Sequence, residues 1–472
     1  MPLILGTNSI KDTGFNVANS CRFNDGSSDH MLKTASAGNR RTFTFSTWLK
    51  LSQLTTARYL FTSWSANNDA GFTYLSITDG DKIKFAGYGT TYLETTQLLR
   101  DPSSWYHLML AVDTTSGTAN NRCRIYLNGS EITSFGTRNN PSQNADLAYN
   151  QNSVDLVLGS NNYGGSKGNY YDGYMAEVIL IDGQQLAPTL FGVTNSDGVW
   201  TPIPYTGTFG TNGFNLQFEN AAALGTDSSP NGNTFTVNNL TSIDQSTDYP
   251  VVNFATMNPL NSVGTGTAFT LSEGNLKATS PDSGQGVTQN FGSSSTIGVT
   301  SGKWYLEAKA TVGAGGYSRN AIGISGEVST QARSNTQSGS NSVIYYDSEN
   351  GNKSVNGSGS SYGASYATND IIGIAIDLDS GTKTVTFYKN GSSQGAITIP
   401  TAVSSTTDGA YFIYQGDTSG NSGTTSTFEF NFGSPSFAIS SSNADGNGYG
   451  NFEYAVPSGY YALNTANLAE FG

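Results

Sequence analysis

The residue types that usually carry catalysis are scarce in this chain. Its 472 residues include two histidines and two cysteines. Two histidines leave few possible bases for a catalytic triad with serine. Neither a G-x-S-x-G elbow nor a P-loop motif occurs. Glycoside hydrolysis needs a pair of carboxylates. The nearest pattern, Glu177 and Asp182 in EVILID, lacks the i, i+2 spacing that puts two side chains on one strand face. The sequence thus predicts a protein that is not an enzyme and needs no cofactor.

Two turn-like stretches carry oxygen ligands of the kind that Ca²⁺ prefers. DGSSD supplies Asp25 and Asp29, and DGD supplies Asp79 and Asp81. Ordinary turn chemistry explains both stretches more simply, so calcium stays the weaker of two interpretations. The cysteines, Cys21 and Cys123, lie in predicted strands, which favours buried thiols and leaves their pairing open. Without a C-x-x-C motif, no zinc site is expected.

Aromatic side chains beside amides form a second kind of candidate site. An exposed tyrosine offers an apolar face with a polar tip, which fits a pyranose ring. Tyrosine serves packing between proteins equally well, and the sequence leaves these two alternatives even. The candidate carbohydrate-binding residues are Trp64, Asn67, Tyr88, Tyr92, Asn161, Tyr163, Tyr170 and Tyr171.

Composition excludes several partners and favours a β fold. The net charge is −13, no run of lysine or arginine occurs, and nucleic acid is therefore not expected as a partner. No apolar stretch is long enough to span a membrane, and the start of the chain lacks the basic region of a signal peptide. Only 12% of the residues are charged, whereas glycine is abundant with 56 residues. That balance is typical of short strands joined by many turns.

Two strands and two tight turns are predicted between Asn369 and Gly395. Isoleucines and a leucine alternate with small or polar residues in IIGIAIDL, the period of a half-buried strand. A D-S-G turn follows, and then TFYK and Asn390-Gly391, a pair typical of hairpin turns. AVDTTSGT and IYLNG in the first half of the chain parallel AIDLDSGT and FYKNG in the second. The repeat predicts two sandwiches of related architecture.

The hairpin resembles the central hairpin of SPRY domains. GKWYLE, at 302–307, and NFGSPSF, at 431–437, resemble the opening and closing strands of the same family. The resemblance implies that variable loops contact other proteins. The residues that fall in these loops are Tyr317, Arg319, Arg333, Tyr345, Tyr346, Tyr362 and Tyr366.

The first half of the chain resembles laminin-G-like domains of the concanavalin type. FNDGSSD, FSTWLK, WYHLMLAVD, IYLNG and GYMAEVILID stand in that family's order. The resemblance implies that Glu177 is the acidic residue of the closing strand. NLQFENAAALGTDSSPNGNTFTVNNL, at 215–240, resembles the opening strand of many such domains, yet it follows the sandwich. The sequence does not decide which sandwich this segment joins.

The predicted fold is all-β, with two concanavalin-type sandwiches joined by an irregular connector. The predicted segments are a lead-in (1–20), a laminin-G-like lectin sandwich (21–185), a proline- and glycine-punctuated connector (186–285), a SPRY-like sandwich (286–437) and a tail with one helical turn (438–472).

The 215–240 segment and the C-terminal ending resemble tailed-phage virion proteins. The resemblance implies a fibre or decoration subunit on the virion, with other virion proteins and a host-surface glycan as partners and several copies acting together. A carbohydrate-active enzyme of the glucanase-like fold and an intracellular SPRY-type adaptor are the alternatives.

Overall fold

The computed structural model describes residues 15, 17–263, 269–280, 291–312, 320–326, 343–400, 409–417 and 425–472. They form two units, described separately below: an N-terminal unit, Asp12–Val251, and a C-terminal unit, Val252–Gly472. Nearly all regular structure is antiparallel strand, and the described residues contain one short α-helix. The prediction of an all-β fold with two sandwich-like regions is confirmed.

The strands of the N-terminal unit are short and closely spaced. In its described part they are β1 (Ser20–Phe23), β2 (His30–Thr34), β3 (Thr42–Leu51), β4 (Arg58–Trp64), β5 (Phe72–Ile77), β6 (Lys82–Gly87), β7 (Thr91–Leu98), β8 (Trp105–Asp113), β9 (Cys123–Leu127), β10 (Ser130–Glu131), β11 (Phe135–Arg138), β12 (Asp155–Leu158), β13 (Gly173–Asp182), β14 (Gly192–Thr194), β15 (Trp200–Pro202), β16 (Phe214–Leu216), β17 (Thr236–Asn238) and β18 (Gln245–Ser246). Single 3-10 turns occur at Ala119–Asn121, Tyr163–Gly165, Pro188–Leu190 and Ser242–Asp244.

Two large sheets form the sandwich of this unit. The described strands of the β3 sheet run in the order β10-β9-β8-β3-β13-β1-β18, with β16 beside β13. Those of the β5 sheet run β11-β7-β6-β5-β4-β12-β2-β17. Because side chains alternate along a strand, Phe43 and Phe45 of β3 and Leu75 and Ile77 of β5 point into one buried core between the sheets.

Residues 186–251, assigned to the connector by their prolines, are built into the N-terminal unit. Three strands from this stretch join the sheets, because β16 pairs with β13, β17 with β2 and β18 with β1. Phe214, Leu216 and Phe235 lie in the same buried core as β3 and β5. The segment 215–240 therefore packs on the N-terminal sandwich, where burial of its apolar side chains stabilises the fold.

The C-terminal unit is also built from strands. In its described part they are β19 (Met257–Val263), β20 (Thr270–Ser272), β21 (Lys277–Thr279), β22 (Phe291–Val299), β23 (Lys303–Thr311), β24 (Asn320–Ser325), β25 (Val343–Asp347), β26 (Asn352–Val355), β27 (Ser358–Ser361), β28 (Ile371–Asp377), β29 (Thr384–Lys389), β30 (Ser392–Thr398), β31 (Tyr411–Asp417), β32 (Thr427–Asn431) and β33 (Tyr461–Ala462), followed by α1 (Thr465–Phe471). One sheet runs β19-β22-β31-β24-β25-β26-β27 and the other β20-β21-β32-β23-β28-β29-β30, as far as the described strands extend.

The repeated hairpin has the same turn geometry in both units. β28 pairs with β29 and β29 with β30, and the turn between β29 and β30 is Asn390-Gly391, with φ of 47° and 77°. β8 pairs with β9, and the turn that follows is Asn128-Gly129, with φ of 48° and 78°. Two positive φ angles in succession define the type I′ turn that matches strand twist, which explains the Asn-Gly pairs.

The tail is an integral part of the C-terminal unit. Phe452 packs on Tyr305 with ring centroids 5.2 Å apart, and β33 pairs in parallel with β23. The carboxylate of Glu307 is buried and accepts the backbone N–H groups of Glu453 and Tyr454, each at 2.8 Å. The short helix α1 completes the tail, as the sequence predicted.

Candidate functional site

An exposed pair of tyrosines marks the candidate site on the N-terminal unit. Tyr88 and Tyr163 are 45% and 43% exposed, among the most exposed large apolar side chains of the described residues. Their rings stack with centroids 6.0 Å apart and planes 19° from parallel. The neighbouring Tyr88 raises the pKa of Tyr163. Each ring of the pair carries an apolar face and a polar hydroxyl.

Hydrogen bonds hold the two loops that carry this pair. The Tyr163 loop, residues 159–172, closes through the backbone N–H of Asn161, which donates to the carbonyl of Gly168 at 2.9 Å. The side-chain oxygen of Asn161 accepts the N–H of Tyr163 at 3.0 Å. The turn of Tyr88 is fixed by Asp69, whose carboxylate accepts the N–H of Gly89 at 2.9 Å. The tyrosines are therefore positioned by their loops before any ligand arrives.

Trp64 and Asn67 stand beside the pair. The indole N–H of Trp64 donates to the side-chain oxygen of Asn67 at 3.2 Å. Trp64 is half-buried and pairs in register with Phe72, the neighbour of Tyr163. The structure thus brings Trp64, Asn67, Tyr88 and Tyr163 together from three separate loops, with Asn161 as a support.

Three of the remaining candidates lie elsewhere. Tyr171 is fully buried and donates its hydroxyl to the carbonyl of Lys50 at 2.9 Å. Tyr92 is 4% exposed and belongs to the core between the sheets. Both are removed from the candidate set, because a buried ring offers no face to a ligand. Tyr170 is half-buried and contacts His30, with centroids 5.7 Å apart.

Sequence reasoning missed three aromatic residues of this surface. Phe72 and Tyr74 lie two residues apart on β5 and point away from the core, and Tyr59 on β4 contacts Tyr74 with centroids 5.1 Å apart. The available signal was the alternation in FTYLSI, which places Phe72 and Tyr74 on one face and Leu75 and Ile77 on the other.

The tyrosines assigned to protein contact in the C-terminal unit are mostly interior. Tyr345, Tyr346 and Tyr366 are 7%, 0% and 3% exposed, so they cannot form a contact surface. Tyr362 is half-buried, packs on Tyr346 and donates its hydroxyl to the carbonyl of Gly395. The remaining three candidates, Tyr317, Arg319 and Arg333, lie outside the described residues.

The calcium candidates are engaged by arginines and by their own turns. Asp25 pairs with Arg58 at 3.1 Å, and Asp81 with Arg100 at 2.7 Å. Asp29 is buried and accepts a backbone N–H and a serine hydroxyl within its turn, whereas Asp79 is exposed. Within the described part of the chain, no group of three or more Asp, Glu, His or Cys could hold a metal ion. The structure therefore favours the turn interpretation of these residues.

Glu177 is a buried acid at a bulge of β13. It adopts a φ of 45° where the pairing with β3 shifts register, and it is 5% exposed. Gln217 donates to its carboxylate at 3.0 Å. Burial raises the pKa of Glu177 to about 7. Asp182 lies at the end of the same strand. Its carboxylate accepts hydrogen bonds from the backbone N–H groups of Asn39 and Asn212.

A pH dependence of stability follows from Glu177. Its pKa is raised from 4.5 to about 7 on folding, so the folded state binds the proton more tightly than the unfolded chain. Stability is therefore fully present below pH 4.5 and falls as the pH rises through 7. At about 1.4 kcal/mol per tenfold change in proton affinity, the loss is roughly 3 kcal/mol.

Urea unfolding of Glu177→Gln at pH 5 and pH 8 tests this dependence. The amide keeps an oxygen for Gln217 and cannot ionise, so most of the fall in unfolding free energy should disappear. Glu219→Gln removes a nearby exposed carboxylate whose charge is the smallest cause of the raised pKa of Glu177, so most of the fall should remain. An unchanged fall in the Glu177→Gln protein would show that Glu177 is not its source.

Ser46 and His107 form a buried pair that cannot act as a nucleophile and its base. The indole N–H of Trp200 donates to Nδ1 of His107 at 3.0 Å. The neutral ring therefore carries its proton on Nε2, which donates to the Ser46 hydroxyl at 2.8 Å. Burial lowers the pKa of His107 to about 3. A general base must accept the serine proton, and here that nitrogen is already a donor.

A separate cavity of about 620 Å³ opens near the start of β3. It is lined by residues that include Asn39, Arg40, Arg41, Asp146, Asp182 and Thr211. Arg41 and Asp146 pair with each other at 2.6 Å, and Asp182 is occupied as described above. Arg41, Asp146 and Asp182 thus already have partners within the protein. The cavity is therefore a weaker candidate for ligand binding than the aromatic surface.

Two family descriptions match separate parts of the chain. Residues 25–186 match the concanavalin A-like lectin/glucanases superfamily, in its laminin-G type. Residues 303–430 match the SPRY domain. The chain therefore contains a concanavalin A-like domain followed by a SPRY domain, as the sequence resemblances implied. In the described part of the chain, no helix has the length and apolar content to cross a bilayer.

Solved structures with similar folds include a candidate carbohydrate-binding protein from Bacteroides ovatus, at 16% identity and a TM-score of 0.35, covering 48% of this chain and 59% of that one. The SPRY domain of human HERC1 is 18% identical with a TM-score of 0.29, covering 37% of this chain and 96% of that one. At these TM-scores the likenesses carry no argument about this chain. No curated protein matches the chain.

Proposed function

We propose that this protein binds carbohydrate without catalysis, through the aromatic surface of its N-terminal unit. One observation carries the proposal, the stacked and exposed pair of Tyr88 and Tyr163. Exposing two such rings costs free energy in water unless a ligand covers them. Sugar rings suit them, because the C–H face of a pyranose packs on an aromatic face while its hydroxyls reach the neighbouring amides and tyrosine hydroxyls.

The absence of catalysis is part of the proposal, and two features support it. The carboxylate of Glu177 is buried and bound by Gln217, and His107 is a donor to Ser46. Neither group is arranged to attack a glycosidic bond or to take a proton during the attack. Glu177 lies at the bulge of β13, where burial raises its pKa to about 7.

The proposed setting is the surface of a virion. It is supported by the resemblance of the 215–240 segment and of the C-terminal ending to tailed-phage virion proteins. A shallow site of this kind binds weakly by itself, and repeated copies would raise avidity by about 10²–10⁴ without new contacts. Several copies on a symmetric particle would therefore convert weak glycan binding into firm attachment to a host surface.

Binding of the full chain to glycan arrays and to whole cells tests the proposal, with release of reducing ends followed in parallel. The double change Tyr88→Ala and Tyr163→Ala should lower glycan affinity at least tenfold, since a stacked ring contributes about 0.5–1.5 kcal/mol beyond its burial. Tyr205→Ala removes a half-buried tyrosine that stacks on Phe191 and should leave binding unchanged.

Three outcomes would contradict this function. Sugar turnover that Glu177→Gln abolishes would establish an enzyme instead. Binding that survives the double change would place the site elsewhere. Tight binding to another virion protein with no glycan binding, for the isolated chain or for an oligomer, would make the chain a structural subunit.

A further inference from the structure

Five aromatic rings form one unbroken strip on the outer face of the β5 sheet. Consecutive centroids are 6.0 Å apart for Tyr88 and Tyr163, 5.7 Å for Tyr163 and Phe72, and 5.1 Å for Phe72 and Tyr74. Tyr59 continues the strip at 5.1 Å from Tyr74. All five lie outside the buried core clusters. The strip therefore extends well beyond the pair that carries the proposed function.

The far end of the strip is open to a ligand as well. Tyr59 and Tyr74 are half-buried, so part of each ring is accessible. Desolvation raises the pKa of both, to about 12 for Tyr74, so both stay neutral donors at ordinary pH. Phe72, in the middle, is 5% exposed and supports Tyr163 from below. The accessible rings are thus grouped at the two ends of the strip.

The charges beside the strip are of mixed sign. Glu94 faces Lys84 across β6 and β7 and pairs with Lys82 at 3.5 Å, next to the strand that carries Tyr74. In the loops at the opposite end, Lys167 donates to the side chain of Asn162, and Asp69 accepts from Gly89. Cations and anions lie together at both ends, so neither end offers a patch of one sign that would select a charged ligand.

We propose that the strip binds a linear, uncharged polysaccharide along its length, so that sugar units of one chain lie on Tyr88 and Tyr163 and others on Tyr74 and Tyr59. This inference rests on the proposed carbohydrate binding and adds the class of ligand. A single terminal sugar would cover the rings of one end only and leave those of the other end uncovered. A chain covers both ends, and the second end binds at the high effective concentration that the first provides.

The test begins with the full chain and a panel of uncharged polysaccharides: cellulose, xylan, chitin, mannan and dextran. The best-binding polymer is then hydrolysed and separated by length, and each fraction is titrated by calorimetry. Affinity should rise with each added sugar unit until the strip is covered, and a single sugar unit should not bind measurably.

Variants at the two ends separate this inference from the proposed function. Tyr163→Ala should weaken binding of every fraction about tenfold, whereas Tyr59→Ala and Tyr74→Ala should each weaken only the longer fractions, by a similar factor. Tyr205→Ala is again the control, and thermal melting confirms that each variant is folded. Full affinity for a single sugar unit, or insensitivity of the longest fraction to Tyr59→Ala, would overturn the chain-binding inference and leave glycan binding standing. If neither polymers nor arrayed glycans bind, both fail.

Discussion

Asp248→Ala should destabilise the N-terminal unit by about 3–5 kcal/mol, the usual cost of breaking a buried ion pair from one side. The ammonium of Lys50 lies 2.8 Å from the carboxylate of Asp248, and the two side chains are 1% and 2% exposed. The same carboxylate accepts the indole N–H of Trp105 at 3.0 Å. Removing it leaves a charge and a polar N–H buried beside Tyr174, where water cannot replace the lost partner.

Asp146→Ala is the matched control for this prediction. Its pair with Arg41 is as short, 2.6 Å, but the two side chains are 43% and 44% exposed. Water solvates the remaining arginine, so the loss should stay below about 1 kcal/mol. Urea unfolding of the full chain, followed by tryptophan fluorescence, measures both variants. Equal losses would show that Lys50 and Asp248 are hydrated in solution and do not form a buried ion pair.

Glu307→Ala should release the tail and destabilise the C-terminal unit by at least about 3 kcal/mol. The carboxylate accepts the hydroxyl of Tyr305 at 3.1 Å as well as the N–H groups of Glu453 and Tyr454. Hydrogen bonds to a charged group contribute about 1.5–3 kcal/mol each, and donors left unsatisfied after burial add a further cost. Burial raises the pKa of Glu307, whereas the two N–H groups of the tail act in the opposite direction by stabilising its charge.

Limited proteolysis with mass spectrometry distinguishes release of the tail from general unfolding. Glu307→Ala should admit early cleavage within residues 438–472 under conditions in which the wild-type tail resists. Glu453→Ala removes a carboxylate that bonds Ser440 at the surface and should keep the tail protected. Early cleavage of the wild-type tail, at the rate of the variant, would contradict the role assigned to Glu307.

Local patterns predicted the fold where neighbouring residues decide the structure. The alternation in IIGIAIDL and the Asn390-Gly391 pair specify the β28–β29–β30 hairpin without help from distant residues. The repeat of this hairpin in the first half of the chain was predicted for the same reason. Its Asn128-Gly129 pair adopts the same turn. Strand period and turn type are short-range properties, and a sequence displays them directly.

Long-range packing was beyond the reach of such patterns. Proline spacing made residues 186–251 look like a connector, although Phe214 and Phe235 are core residues of a sandwich whose strands are far away in sequence. The sequence around Glu307 predicts only a strand. No neighbouring residue indicates that the backbone N–H groups of Glu453 and Tyr454, in the tail, donate to its carboxylate. Pairings of this kind depend on tertiary contacts that carry no local signature.

The candidate site was predicted in part for a related reason. Tyr88 and Tyr163 were found because aromatic residues in glycine- and asparagine-rich loops tend to be exposed. Tyr92 and Tyr171 have the same kind of neighbours, but Tyr92 lies at the start of β7 and Tyr171 two residues before β13, where one position along the chain decides between the core and the surface. The loop boundaries were not known well enough to separate these cases.

A crystal structure of the full chain with its best-binding oligosaccharide tests carbohydrate binding on the aromatic strip most directly. Sugar rings should stack on Tyr88 and Tyr163, with further units toward Tyr74 and Tyr59. Sugar in the cavity beside Arg41 and Asp146, or on the C-terminal unit, with the aromatic strip left bare, would contradict it.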